Sequence, residues 1–328
     1  MTLGVAQSDA RAQHSRIELR AALVVCIAIG GACHQPIKST IEGPPSPSQL
    51  AELWVEPEPG RDLYWGVGGE RLVPDASAIY RVLSVKTKGF SPGYRVADPA
   101  GHEWSAKFYP ESHTEVTASR LLWGIGYHQP PVYYVDRWMA DGAPKPNPQG
   151  GARFRQHKPD FHAIAEDTTW PYHQNPFVGT RQLAGLLVLH IMLGNSDLKE
   201  VNNMVYTLDA PVEGATRWYV SRDLGHTFGR TGVMAAPRDD PKVFEATPFI
   251  KGVSGGVVHF DYRGRHDELF TKIAPADVRW ICDRLSKLTE TQWRDAFRAG
   301  GYVAPISDRY IARMKQKIAE GLALRDAA

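Results

Sequence analysis

Between Thr180 and Gly194 the chain carries Leu183, Leu186, Leu187, Val188, Leu189, Ile191, Met192 and Leu193, which cover every side of a helical wheel. A helix that is apolar all round must be buried, so the rest of the fold has to be arranged about it. Gly194 marks its end, because glycine takes the left-handed backbone of a helix stop at no steric cost. Directly beyond lies the polar stretch Asn195-Ser196-Asp197-Leu198-Lys199-Glu200-Val201-Asn202-Asn203, an abrupt change of chemistry at the end of a buried element. Met204–Leu208 and Arg217–Val220 then read as two strands around a turn.

Upstream, Ile79–Val85, Tyr94–Val96 and Trp104–Tyr109 read as three short strands, with a turn-rich loop over 86–93. Ser112-His113-Thr114-Glu115 has the spacing of a capping box and predicts a helix through Trp123. Val132–Val135 is strand-like. Prolines and glycines over 140–175 predict a loop-rich crossing between two lobes. Pro275 opens a helix with Val278, Ile281, Cys282 and Leu285 on one face, and further helices are expected over Gln292–Arg298 and Tyr310–Leu322. Strands with one helix followed mainly by helices predict an α+β, two-lobed fold. Its parts are a small β-rich N-lobe with one helix over 62–139 and a larger, mainly helical C-lobe over 140–325. The 328 residues, 43% hydrophobic and 23% charged, suit a folded chain of this size. Thirty-eight basic against thirty-six acidic residues leave +2, so no overall field draws in nucleic acid. Three cysteines without a CxxC pair argue against a disulfide scaffold or a cysteine-held zinc.

The N-terminus predicts an address. Arg11, Arg16 and Arg20 precede the apolar run Ala21–Ala32, twelve residues long. That run spans about 18 Å as a helix, short of a hydrocarbon core of about 30 Å, so no transmembrane domain is expected. Charge, a short apolar core and small residues describe a signal peptide over 1–33. Its end, Gly31-Ala32-Cys33, resembles the lipobox of bacterial lipoproteins, with Gly30 in place of the usual larger apolar residue. The resemblance implies lipidation of Cys33 and an exported protein anchored to the membrane of the cell envelope; a cytoplasmic chain is the alternative. Pro36, Pro44, Pro45, Pro47, Pro57 and Pro59 predict an extended tether over 34–61.

Three polar sites stand at the ends of otherwise apolar elements. Lys107 lies on the third strand, Asp197 and Lys199 follow the buried helix, and Asp223, in Asp223-Leu224-Gly225, follows the strand Arg217–Val220. In this order they resemble the protein-kinase-like superfamily, nearest its atypical branches, the phosphoinositide-kinase-like and HipA-type enzymes. There a strand lysine pairs with a helix glutamate, a D-x-K-x-x-N loop follows a buried helix, and a D-F-G turn follows a hairpin. The resemblance covers about 62–325 and implies a phosphotransferase using ATP and Mg²⁺ on a protein or small-molecule acceptor. Lys107 would hold the nucleotide phosphates, Glu115 would orient it, and Glu111 is a second candidate partner. Asp197 would serve as base, Lys199 would neutralise the γ-phosphate, and Asp223 with Asn202 or Asn203 would bind metal. Gly89 and Gly93 would flank a phosphate-covering loop. Leu224 replaces the phenylalanine of D-F-G, and Asn195-Ser196 stands where typical kinases carry His-Arg. A catalytically inactive binding module and a nucleotidyl transferase on the same fold remain open.

Each residue also has a plainer reading. Lys107 is compatible with an exposed strand lysine, Glu115 with closing its own capping box, and Asp197, Lys199 and Asp223 with ordinary turn positions. Arg153, Arg155, His157 and Lys158 read as a solvated basic face. Gly89-Phe90-Ser91-Pro92-Gly93 is formally G-x-S-x-G, but Pro92 lacks the amide N–H that an oxyanion hole needs after its serine. Gly66-Val67-Gly68-Gly69-Glu70-Arg71 lacks the third glycine of a dinucleotide fingerprint and reads as a turn. Twelve histidines carry no HExxH.

Overall fold

The computed structural model describes residues 35–87, 89–143, 150–158, 161, 165–232 and 236–326. The expected signal segment and Cys33 lie outside the described residues. Residues 34–328 make one compact unit of mixed α+β architecture.

The chain enters through strand β1 (Lys38–Ser39) and the short helix α1 (Pro47–Ala51). Strands β2 (Ile79–Val85), β3 (Gly93–Ala97) and β4 (Glu103–Lys107) follow as an antiparallel meander, and helix α2 (Ser112–Gly124) comes next. Strands β5 (Tyr133–Val135), β6 (Met139–Asp141) and β7 (Ala152–Gln156) complete a six-stranded sheet ordered β5-β7-β4-β3-β2-β6. One side of this sheet packs an aromatic core of Tyr80, Tyr94, Trp104, Phe108 and Phe154.

Strands β8 (Ala165–Glu166) and β9 (Gln174–Asn175) lead into helix α3 (Arg181–Leu193). The Thr180 hydroxyl caps α3 by accepting from the Leu183 amide at 3.2 Å, and Gly194 ends it in left-handed backbone at φ 76°. Strands β10 (Asn203–Val212) and β11 (Ala215–Ser221) form a hairpin that β8 extends. Helix α4 (Pro241–Ala246), the hairpin β12 (Ile250–Ser254) with β13 (Val257–Phe260), and helices α5 (Pro275–Ser286), α6 (Glu290–Ala299) and α7 (Ala304–Leu322) finish the fold. The apolar wheel of α3 sits in the main core with α5 and α7, as the sequence requires. Val278, Ile281, Cys282 and Leu285 all point inward from α5. Among the described residues no helix is long and apolar enough to cross a membrane.

Three expectations are corrected. Residues 35–61 are not a tether. Leu53 has no solvent exposure, Trp54 Nε1 donates to the Ile125 carbonyl at 2.7 Å, and β1 pairs in parallel with β9. The prolines punctuate this packed segment rather than extend it, with Pro47 in the first turn of α1, where a missing N–H costs nothing. The boundary at 139 also fails, because β7 inserts between β5 and β4 in the sheet. The capping box of Ser112 and Glu115 does not form. Glu111 is the N-cap residue without a side-chain cap, and the Glu115 carboxylate is spent elsewhere.

A Leu53→Ala substitution is expected to lower unfolding free energy by about 2–5 kcal/mol, the cost of a buried leucine cavity. Urea unfolding of the full chain checks this; an unchanged midpoint and slope would return residues 35–61 to a tether.

Candidate active site

Lys107 closes β4, and on this strand Trp104 and Ala106 face the aromatic core. Side chains alternate along a strand, so Lys107 projects from the opposite side, toward α2. Only 5% exposed, its Nζ lies 2.7 Å from Glu115 Oε2 and 3.4 Å from Glu111 Oε2, and it donates to Asp223 Oδ1. Of the two candidate partners, Glu115 is therefore the nearer. Arg153, opposite Lys107 in the β4–β7 register, places its Nε 3.0 Å from Glu115 Oε1 and donates to the Ser105 carbonyl at 3.1 Å. Burial opposes charge on Lys107, but Glu115 and Asp223 outweigh it and hold the ammonium above the ordinary lysine pKa. Burial likewise opposes charge on Glu115, and Arg153 and Lys107 reverse it. Lys107 holds the Asp223 carboxyl well below the usual carboxylate range.

Asp223 follows β11 in left-handed backbone at φ 57°, a conformation aspartate tolerates better than most residues. The turn is locked by Leu224, which is buried, and by the Thr114 hydroxyl donating to the Gly225 carbonyl at 2.8 Å. A Cβ at Gly225 would collide with Glu111 at 2.5 Å, so the turn lies directly against the start of α2.

The loop after α3 is organised by asparagines. Asn195 Oδ1 accepts the Asp197 amide at 2.9 Å, and Asn202 Nδ2 donates to the Asp197 carbonyl at 2.9 Å. Lys199 Nζ sits 2.8 Å from the Asp197 carboxylate. Asn203 is fully buried and donates through Nδ2 to the Trp170 carbonyl at 3.1 Å, while its Oδ1 accepts no hydrogen bond among the described residues; Asn202 lies beside Asp197.

A buried polar network ties this loop to the Asp223 turn. Asn195 Nδ2 is 3.1 Å from His190 Nδ1, and His190 Nε2 is 3.0 Å from Ser221 Oγ, two residues before Asp223. Tyr172 completes it with its hydroxyl 2.6 Å from Ser221 Oγ. Burial pushes His190 down to about 3, so the ring is neutral. Sequence reasoning missed His190, although it is the one titratable group between Leu183 and Leu193, on an otherwise apolar helix.

Asp197, Lys199, Asp223 and Gly89 border one cleft of 490 Å³, together with Lys86 and Glu111. Gly89 is in left-handed backbone at φ 93° on the loop between β2 and β3. Gly93 does not border the cleft. It belongs to β3, where a Cβ would stand 2.3 Å from the Ala106 carbonyl oxygen, so its glycine serves strand contact rather than a phosphate loop. Arg153 corrects a second expectation: it is 2% exposed and paired, not part of a solvated face. The apolar flanks Ala152 and Phe154 are the signal that marks a strand there. Among the described residues no group of three or more His, Cys, Asp or Glu side chains converges to hold a metal by itself. No protein-family model, curated protein or solved structure matches this chain.

The unfolded chain protonates its histidines near pH 6.5, whereas His190 resists protonation down to about 3 in the fold. The unfolded state thus binds more protons as pH falls, so stability is lost progressively from about pH 6.5 downward. Unfolding free energy measured from pH 7 to 4 should fall less steeply for His190→Gln than for wild type. Parallel curves would mean that His190 is not held neutral.

Proposed function

We propose that the chain is a kinase-like phosphotransferase of two lobes, using ATP and Mg²⁺ on an acceptor hydroxyl. One observation carries the reading: Asp197, Lys199 and Asp223 border one cleft, and Asp223 is bonded there to the buried Lys107, which Glu115 holds from α2. Phosphoryl transfer asks mainly for positioning and for positive charge near a strongly negative group, and this cleft supplies both. Lys107 binds the phosphates as a point charge, and Glu115 holds its ammonium in place from α2. Asp197 takes the proton from the acceptor hydroxyl, and Lys199, 2.8 Å away, places a cation beside the transferring group.

The donor set fits magnesium, which prefers a carboxylate, a neutral oxygen and phosphate oxygens. Asp223 provides the carboxylate. Asn202 spends its amide nitrogen on Asp197 and Asn203 spends its own on Trp170, so the Oδ1 of either would serve the ion. Bound there, the ion would neutralise phosphate charge. The charged n-region, apolar run and lipobox-like Cys33 support export and a lipid anchor for the same chain.

Calorimetric titration of ATP, with and without magnesium, tests the binding half. Magnesium-dependent binding is expected in wild type and is expected to vanish in Asp223→Ala. Asp197→Asn is expected to bind ATP normally while losing about 10²–10⁴ in phosphate release or transfer, as removal of a general base does. Binding in wild type with no turnover over added acceptors would favour a binding module on this fold, and no nucleotide binding would overturn the proposal.

A further inference from the structure

The sheet face that carries Lys107 holds more positive charge than its acids neutralise. Two adjacent cross-strand rows build it, Lys86, Gly93, Lys107 and Arg153 in one, and Ser84, Arg95, Ser105 and Arg155 in the next. Glu103 pairs with Arg95, and Glu111 pairs with Arg238 from across the cleft. What remains is Lys86, Lys107, Arg153 and Arg155 against the carboxylates of Glu115 and Asp223. Partial desolvation, and then the neighbouring Lys107, lowers the pKa of Lys86 below the ordinary lysine value, with Asp223 and Glu111 acting against them. Over the second row lies a cavity of 350 Å³ where Lys86, Arg95, Arg155 and the hydroxyls of Ser84 and Ser105 meet Tyr94, Trp104 and Ala106. Lys86 borders both this cavity and the main cleft.

We propose that this cavity is a second phosphate-binding subsite continuous with the cleft, so that the ligand is an extended polyanion carrying phosphate at both ends. The proposal rests on reading the main cleft as a phosphate site. Among the described residues that border this cavity, Lys86 and Arg155 have no carboxylate of their own, and a phosphate repays their desolvation through charge-assisted hydrogen bonds. The second phosphate belongs either to a linear polyphosphate or to a nucleotide phosphorylated on its ribose, and both present the same group to Arg155 and Lys86.

The full chain, as wild type, Arg155→Gln and Lys86→Gln, is titrated calorimetrically with pyrophosphate, tetrapolyphosphate and adenosine 3′-phosphate 5′-diphosphate in the presence of magnesium. Both side chains reach solvent, so neither substitution opens the core, and thermal melts verify folding. Loss of one charge-assisted contact weakens binding by roughly tenfold or more. At least one long probe is expected to bind wild type and to lose that factor in each variant. Pyrophosphate, which reaches only the main cleft, should change less than about twofold in Arg155→Gln, whereas Lys86→Gln, at a residue bordering both sites, should weaken it as well. The long probe that binds identifies the source of the second phosphate. Unchanged affinity of the long probes in both variants, or no binding of either to wild type, overturns the subsite. Failure of pyrophosphate alone to bind wild type overturns the cleft reading instead, while an Arg155-dependent loss for tetrapolyphosphate would still support the subsite.

Discussion

A charged ammonium held almost out of water at the end of a strand is unstable unless acids surround it, because burying an unpaired charge costs several kcal/mol. Lys107 satisfies that demand by drawing on the helix that follows it and on a turn far along the chain. Glu115 comes from α2 and Asp223 from the turn after β11, and the two carboxylates carry the charge that the desolvated lysine requires. Removing either acid leaves the cation under-compensated. The contact thus joins the six-stranded sheet to the hairpin side of the molecule at the point where the cleft opens. Arg153 reinforces it by holding Glu115 from the neighbouring strand, so the glutamate sits between two cations and stays ionised.

A second tie acts from below. The neutral His190, the Ser221 hydroxyl and Asn195 connect the last turn of α3 to the Asp197 loop and to the strand that delivers Asp223. Each member is buried and paired, and satisfied polar networks of this kind fix geometry where apolar packing would allow sliding. The rigid, apolar α3 is therefore both the centre of the core and the support on which the two aspartates are registered.

Much of this was legible before any coordinates. The all-round apolar pattern of 180–193 and the stop at Gly194 specify α3, and the 3.6-residue spacing from Val278 specifies α5. Lys107, Glu115, Asp197 and Asp223 stand out because each is polar at the edge of an apolar element; the first two meet Asp223, and Asp197 borders the same cleft as Asp223. What was hidden followed other physics. Composition misreads 35–61, because a proline-rich segment can still bury a single leucine and hydrogen-bond through Trp54. Arginines on β7 look like a wet face until a partner such as Glu115 is known, since burial of Arg153 depends on a residue 38 positions away. Residues 226–273 offer no long period; α4 takes shape against α7, and the hairpin through Val258 and Phe260 in the main core, rather than through local pattern.

The most direct test is a double-mutant cycle on unfolding free energy, comparing wild type, Lys107→Met, Asp223→Asn and the combined variant. Contacting residues deviate from additivity by about 0.5–3 kcal/mol, and the half-exposed Asp223 places the expected coupling toward the lower part of that range. A favourable coupling of at least about 0.5 kcal/mol is the predicted result. Strict additivity of the two substitutions would mean that the lysine and the aspartate do not meet, and the cleft built on their contact would fall with it.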